Sequence, residues 1–404
     1  MGSVESMVVV DPFIGGGFSQ NQHATWRWVF WINLPFIGIG TIMITLFLKL
    51  NQKPSSLMAK LRRVDWVGMV LFIGSSTGFL IPITWGGVQY AWDSWRTLVP
   101  LLVSAAGLVV FVLHQEYIAP EPLIRTSVFK TRTAAVTYLG TVVHGIILWS
   151  VLYYLPLYYE AVKGLTPIMA GIALFPQTFT VAPAAAVSTC KINQSRHMLT
   201  DPQLVGAMIA KTGQYRWAVW TGWFLTTFGS GLLVYLKADT KTVDWIFLNV
   251  VGGLGTGMLF PAMAIATQAS STSKDQAYAA NIFSFLRAFG QTLGVAIGGV
   301  IFQNQMKKKM LTYPLLADKA VEYSRDAAGL VQIIKAMPAG EMKEQLRESY
   351  TDALRYIWIV MAVFGAVALI ASAFTKAYPL DRELETEQGF QEKKRAKDVE
   401  QEAQ

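Results

Sequence analysis

Long runs of apolar residues alternate along this chain with short polar links, and the runs are close to 20 residues long. A helix rises 1.5 Å per residue, so about 20 residues cross the hydrocarbon core of a bilayer. Membrane β-strands would be half as long and would alternate in polarity, which these runs do not. The pattern predicts nine membrane-spanning helices, near 27–48, 66–85, 97–113, 134–156, 167–188, 217–236, 244–268, 279–302 and 356–375.

A tenth candidate span, residues 3–18, is shorter and carries Glu5 and Asp11. The fold class predicted is therefore an all-α polytopic membrane protein of about ten spans. Composition agrees, because 53% of the 404 residues are hydrophobic and 15% are charged, against roughly a quarter charged in an ordinary soluble domain. The single cysteine excludes a disulfide scaffold. The formal charge of +8, with no basic face outside the links, favours anionic lipid and not nucleic acid as a partner.

The Lys and Arg residues of the links predict which face of the membrane each link occupies. Links on one face hold 13 of them and the short links on the other face hold four. The basic face is predicted to be cytoplasmic, and it also carries the tail 376–404. The cytoplasmic links are 49–64, 114–133, 189–216 and 269–278.

The link 303–355 falls on the outer face although it holds nine basic residues. Its seven acidic residues and its length reduce the conflict, because long loops cross membranes largely regardless of charge. Leu330, Ile333 and Ile334 follow a helical period. This segment either lies on the outer membrane surface as an amphipathic helix or packs as a loop against neighbouring spans.

Polar side chains inside a bilayer need a partner or a water-filled path, so we take those within the spans as candidates for lining a transport cavity. Arg287 could instead reach the lipid headgroups, and His144 could simply bond a neighbouring helix. Pro176 before Gln177 indicates either a substrate path or a bend. No Asp or Glu lies in the interior of the nine spans. The six candidates are His144, Gln177, Asn249, Asn281, Arg287 and Gln291.

Glycines at four-residue spacing occur on two spans and permit close contact between helix backbones. Such spacing fits a tightly packed bundle, or helix pairs that slide during transport. The glycines are Gly253 and Gly257 on one span, and Gly290, Gly294 and Gly298 on another.

Signals of catalysis are missing from the sequence: the four histidines are scattered and there is no nucleophile elbow or phosphate-binding loop. We therefore expect no enzyme activity, no cofactor and no metal.

Short motifs spread over the chain are informative as a set, because their order and spacing are more specific than any one of them. They are Trp26–Trp28 with Ile32–Pro35, Asp65–Gly68, Gly86–Trp92, Pro156–Gly171, Tyr215–Trp223, Gly253–Phe260, Phe285–Asn304 and Leu380–Glu383.

In these motifs the chain resembles fungal efflux carriers of the major facilitator superfamily, in the fourteen-span drug:proton antiporter branch. The resemblance implies two helical bundles around a central cavity, with two extra spans between them. Pro12, Gly15 and Gly16 match the end of the antiporter motif of span five, where Asp11 replaces an expected glycine. The resemblance therefore implies a chain that begins inside span five, with an incomplete N-terminal bundle.

The resemblance also predicts how the chain is divided into segments. Residues 1–48 would be the remnant of the first bundle, 49–113 the cytoplasmic link with the two inserted spans, and 134–375 the second six-helix bundle with its outer loop 303–355. Removing 187–203 would restore a family-like run, so we interpret this block as a retained intron, the alternative being a longer cytoplasmic loop.

The function that the resemblance implies is efflux of hydrophobic small molecules, drugs or secondary metabolites, by proton antiport. The partners would be the substrate, protons and the lipid bilayer of the cell membrane or of the vacuole, with the oligomeric state open. The alternative is a non-transporting truncated fragment or a half-carrier that lacks the first four spans.

Overall fold

The computed structural model describes residues 14–19, 27–47, 56–87, 89–178, 209 and 212–378. Long helices dominate this part of the chain, and short 3₁₀ or π segments connect some of them. We number the main helices α1 (Asn33–Phe47), α2 (Trp66–Trp85), α3 (Trp95–Tyr117), α4 (Arg132–Leu157), α5 (Pro167–Ala173), α6 (Arg216–Leu233), α7 (Thr242–Ala269), α8 (Gln276–Met310), α9 (Ala327–Ala336) and α10 (Glu341–Ser372).

Seven helical segments of the described residues are long and apolar enough to cross a membrane. They begin with Trp28–Phe47 and include α2, α3, α7 and α10. The other two are α4 extended to Val162 and α8 with its preceding turn. The predicted fold class, a multi-pass helical membrane protein, is confirmed.

The outer link is shorter than the sequence predicts, because α8 and α10 continue well beyond the predicted spans. The helix α8 runs on to Met310, and α10 starts at Glu341, so the predicted link 303–355 narrows to 311–340. Polar contacts hold the two extensions together: Lys309 lies 2.7 Å from Asp352, and the Tyr313 hydroxyl donates to Glu348 at 2.9 Å. Charges that would end a span thus pair with one another between the two helices.

The link 311–340 is packed on the protein. Leu330, Val331 and Ile334 of α9 are buried, whereas Ile333 is half-exposed. The Tyr350 hydroxyl of α10 donates to the carbonyl of Ala327 at 2.9 Å. The apolar face of α9 therefore packs against the protein. This packing favours the interpretation of the segment as a loop packed against neighbouring spans over that of a helix on the membrane surface.

The helices α4 and α8 approach each other so closely that only glycine fits at the contact. A Cβ on Gly290 would collide with the Val142 carbonyl, and one on Gly294 with the Ile146 carbonyl. The Ser150 hydroxyl donates to the Gly294 carbonyl at 3.0 Å. The close contact between helix backbones that the glycine spacing on α8 permits is therefore present in the structure.

A similar contact joins α6 and α7 at Gly229 and Gly255. A Cβ on Gly229 would collide with Gly252, and one on Gly255 with the backbone of Thr226. The predicted pair Gly253 and Gly257 is buried on α7. Small residues again set the distance between two helices.

The pair α2–α3 forms a hairpin that packs along α8. Within the hairpin, a Cβ on Gly107 would collide with the Ser75 hydroxyl. Against α8, the rings of Phe72 and Phe285 lie 4.6 Å apart between centroids, and those of Phe79 and Phe289 lie 6.3 Å apart. Aromatic contacts thus hold the hairpin against α8.

Polar contacts close the two ends of the bundle. At one end Arg125 lies 3.2 Å from Asp275, which also accepts a hydrogen bond from Ser127 at 2.9 Å. At the opposite end Lys335 lies 2.8 Å from Glu160. The links that charge bias assigns to one face therefore contact one another, although the orientation in the cell stays a prediction.

Several expectations lie outside the described residues. They are most of the candidate span 3–18, residue Pro12, the second half of the span 167–188, the block 187–203 and the tail beyond Tyr378.

The contact between α4 and α8 can be tested with Gly294→Ala. The added methyl group meets the Ile146 backbone, and overpacking of this kind costs about 1–3 kcal/mol. We expect a lower melting temperature of the purified protein in detergent. Gly74→Ala is the matched control, because no atom lies within 4 Å of its new Cβ. Equal melting temperatures for the two variants would contradict the contact.

Candidate functional site

One face of α7 carries polar and aromatic side chains through the middle of the bundle. Asn249 and Thr256 are buried, and seven residues separate them, which is close to two helical turns. Phe260 follows one turn later. This face is where most of the predicted polar residues meet.

At the end of this face near the outer link, Asn249 bonds a tyrosine. Its side-chain amide donates to the hydroxyl of Tyr159, which lies in a π-helical turn, Tyr158–Val162, after α4. Tyr159 is fully buried, and its ring centroid lies 4.9 Å from that of Trp245. Turns of π type interrupt helices and are frequent at functional sites.

Gln177 is placed against the same face. It lies directly after Pro176 in the helical residues 175–178, and it is almost fully buried. Its Oε1 is 3.3 Å from where a Cβ on Gly252 would lie. The missing side chain of Gly252 therefore provides the room for the glutamine, one turn from Asn249.

One turn further along α7, a ring nitrogen of His144 and the Thr256 carbonyl lie 2.9 Å apart. A carbonyl only accepts, so Nε2 carries the proton of this bond. His144 of α4 is thus tied to α7, as one of its two sequence interpretations predicts. Thr256 directs its own hydroxyl to the Gly252 carbonyl at 3.0 Å.

Arg287 of α8 completes this set of side chains. The central carbon of its guanidinium lies 4.0 Å above the ring of Phe260 on α7. A cation over an aromatic face is stabilised by the ring quadrupole, most strongly where water is excluded. The side chain therefore lies against the ring of a neighbouring helix.

Gln291 lies elsewhere, in a cavity of about 500 Å³ between α4 and α8 on the side of the outer link. Gln291, Thr292 and Gln303 of α8 give this cavity polar groups, and the half-exposed rings of Trp149 and Tyr153 give it aromatic surface. Arg325 and Asp326 of the outer link also line it. Its size is within the range of roughly 300–1,000 Å³ typical of small-molecule sites.

The remaining predicted residues are spread out. Asn281 is exposed on α8, three turns before Thr292 and on the same helical face. Gly16 is buried, and a Cβ there would lie 2.7 Å from the Pro167 carbonyl, whereas Gly15 has open space. The segment predicted to be an antiporter-motif remnant thus meets the start of α5 at Gly16.

The structure therefore brings His144, Gln177, Asn249 and Arg287 to one face of α7 and separates Gln291 and Asn281 from them. Four residues of these sites were not predicted from the sequence: Tyr159, Thr256, Trp149 and Tyr153. The position of Tyr159 directly before Glu160, at the end of a long apolar run, is the one signal that pointed to a polar helix end.

Within the residues that the structure describes, no group of three histidine, cysteine, aspartate or glutamate side chains is placed to hold a metal ion.

The comparisons with known proteins agree on one family. Residues 2–402 match the profile of the fungal trichothecene efflux pump family (TRI12). The chain is 66% identical to MFS transporter L2 of a Phoma species over 394 aligned residues. The aligned region covers 98% of this chain and 63% of that protein.

Two further relatives are more distant. Efflux pump FUS6 of Gibberella moniliformis is 34% identical over 396 residues, which is 96% of this chain and 66% of that protein. The Acurin A biosynthesis cluster MFS-type transporter of Aspergillus aculeatus is 33% identical over 391 residues, 95% of this chain and 67% of its own length. The chain therefore spans about two thirds of the length of these relatives.

The hydrogen bond between Asn249 and Tyr159 can be tested with Tyr159→Phe. The change leaves the buried amide without its acceptor, so we expect a loss of stability on the order of 1 kcal/mol, measured by thermal melting. In an Asn249→Leu background the same change should cost less. The control is Tyr235→Phe, at a position 70% exposed. Equal losses in both backgrounds would contradict the bond.

Proposed function

This chain belongs to the fungal trichothecene efflux pump family, and we propose that it exports hydrophobic small molecules across a fungal membrane. The observation that carries the proposal is the cavity between α4 and α8, in a chain of that family. Its aromatic rings offer apolar contact surface, and Gln291 and Thr292 offer hydrogen bonds. Sites for hydrophobic ligands combine such surface with a few polar groups that set orientation.

The substrate class that we propose is a fungal secondary metabolite. The support comes from the relatives, one of which is named for the biosynthesis cluster of acurin A. A cavity of about 500 Å³ with both aromatic and amide groups suits a compound that is mainly apolar and carries a few oxygen atoms.

The polar face of α7 has a different role in this proposal. Asn249 lies on this face of α7, and His144 of α4 and Arg287 of α8 contact the same face. We propose that they line the path of the substrate when the bundle opens, together with Gln177 and Asn281. A hydrogen bond between two membrane helices contributes about 0.6 kcal/mol on average. A small number of such bonds can therefore be replaced by contacts with a substrate at modest cost.

Proton exchange would supply the driving force. Two carboxylates are paired with cations, Asp275 directly before α8 with Arg125 and Asp352 of α10 with Lys309. This placement leaves polar but uncharged groups and Arg287 in the middle of the bundle.

We further propose the fourteen-span plan, with residues 49–113 as the inserted segment and 134–375 as the second bundle. The hairpin α2–α3 supports it, because α2 packs against α8 and α3 packs against α2, while α4, α6, α7, α8 and α10 pack among themselves.

Transport can be measured in yeast cells that express this chain, with a labelled trichothecene as the probe. We expect lower accumulation than in cells with an empty vector, and recovery of accumulation when a protonophore removes the proton gradient. Gln291→Leu should reduce the export rate about tenfold, equivalent to about 1.4 kcal/mol of lost interaction, because it removes the amide of the cavity.

The matched control is Gln268→Leu, the same change at an exposed position of α7. Membrane-inserted protein must be quantified for each variant. Unchanged accumulation with the inserted wild-type chain would contradict the proposal and favour the alternative, a half-carrier or a fragment without transport. Equal export by both glutamine variants would contradict the role of the cavity.

A further inference from the structure

A second cavity, of about 460 Å³, lies between the hairpin α2–α3 and the first half of α8. Its lining is almost wholly apolar, and its volume is again within the roughly 300–1,000 Å³ of small-molecule sites. It takes no part in the site described above. Its apolar lining includes Phe72, Leu108, Phe111, Val112, Phe129 and Leu286.

The cavity is at the depth of lipid chains. Phe72 is six residues from the start of α2, and Phe111 is six residues from the end of α3, which places both about 9 Å from the helix ends by helical rise. Charge bias assigns these ends to the cytoplasm. Val112 and Phe129 are 52% and 39% exposed, so the cavity opens towards the surrounding hydrocarbon.

The polar end of this cavity lies beside cationic groups. Gln115 lines the cavity, and the preceding residue, His114, lines a neighbouring cavity of about 390 Å³ together with Arg62 and Arg63. The phosphate of a lipid headgroup is the partner that guanidinium groups at this depth of a membrane recognise.

Two acidic groups line the same neighbouring cavity, and both are engaged. Asp65 accepts hydrogen bonds from the Gly68 amide at 2.8 Å and from Gln115 at 2.6 Å. Glu121 lies 3.7 Å from Arg63. The hydrogen bond from Gln115 to Asp65 also joins the walls of the two cavities, because it connects α3 to the start of α2.

We propose that the two cavities together bind one anionic phospholipid of the cytoplasmic leaflet. One acyl chain occupies the apolar cavity between the hairpin and α8, and the phosphate lies at Arg62 and Arg63. The bound lipid fills the space between the inserted hairpin and the second bundle. The site stands on its own geometry and does not depend on the transport activity proposed above.

The test is native mass spectrometry of the full chain, purified in detergent and equilibrated with equal amounts of phosphatidylserine and phosphatidylcholine. We expect one retained phosphatidylserine per chain. Leu108→Trp fills the apolar cavity and should lower retention roughly tenfold, or about 1.4 kcal/mol. Val103→Trp is the control, because Val103 is 65% exposed on the same helix.

The headgroup is tested separately with the double variant Arg62→Gln and Arg63→Gln. It should bind phosphatidylserine no better than phosphatidylcholine, while it still retains a phospholipid in the apolar cavity. If Leu108→Trp yields little folded protein, Leu286→Phe is the smaller filler, with Val109→Phe at a position 60% exposed as its control.

Three results would overturn the proposal. The wild-type chain could retain no phospholipid, it could retain phosphatidylcholine as well as phosphatidylserine, or the filling variants could retain as much lipid as their controls.

Discussion

The close approach of α4 and α8 determines the positions of His144, Arg287 and Gln291 in the bundle. Where Gly290 and Gly294 meet the backbone of α4, the two helices cannot move apart without losing van der Waals contact. Gly145 of α4 in turn lies against the Arg287 carbonyl, 2.5 Å from where its Cβ would be. The contact therefore places Arg287 beside His144 and also forms two walls of the cavity that holds Gln291.

The bilayer adds a second constraint, because hydrocarbon offers no hydrogen bonds to polar groups. The side-chain amide nitrogen of Asn249 donates to the Tyr159 hydroxyl, and Nε2 of His144 donates to the Thr256 carbonyl, so each side chain has a partner on another helix or turn. Two acidic residues are partnered in the same way, Asp275 directly before α8 by Arg125 and Asp352 of α10 by Lys309. Polar groups in this bundle thus act both as connectors between helices and as candidates for contact with a substrate.

Periodicity and length predicted the helices well, since a span is a local property of the sequence. The predicted span 66–85 coincides with α2, whereas α8 and α10 extend further because their charged ends pair with each other, which is a non-local contact. The cost of burying a polar group identified His144 and Asn249 correctly as residues of the interior. Their partners Thr256 and Tyr159 could not be predicted, because a backbone carbonyl and a hydroxyl at a helix end have no distinctive pattern in the sequence.

Thiol labelling of the cavity between α4 and α8 connects this geometry to transport. In a Cys190→Ser background, a membrane-impermeant reagent should label Gln291→Cys from the outer face of intact cells. A trichothecene probe should slow that labelling, because in the proposed transport it occupies the same cavity. Labelling only from the cytoplasmic face, or a labelling rate that saturating substrate leaves unchanged, would contradict the account.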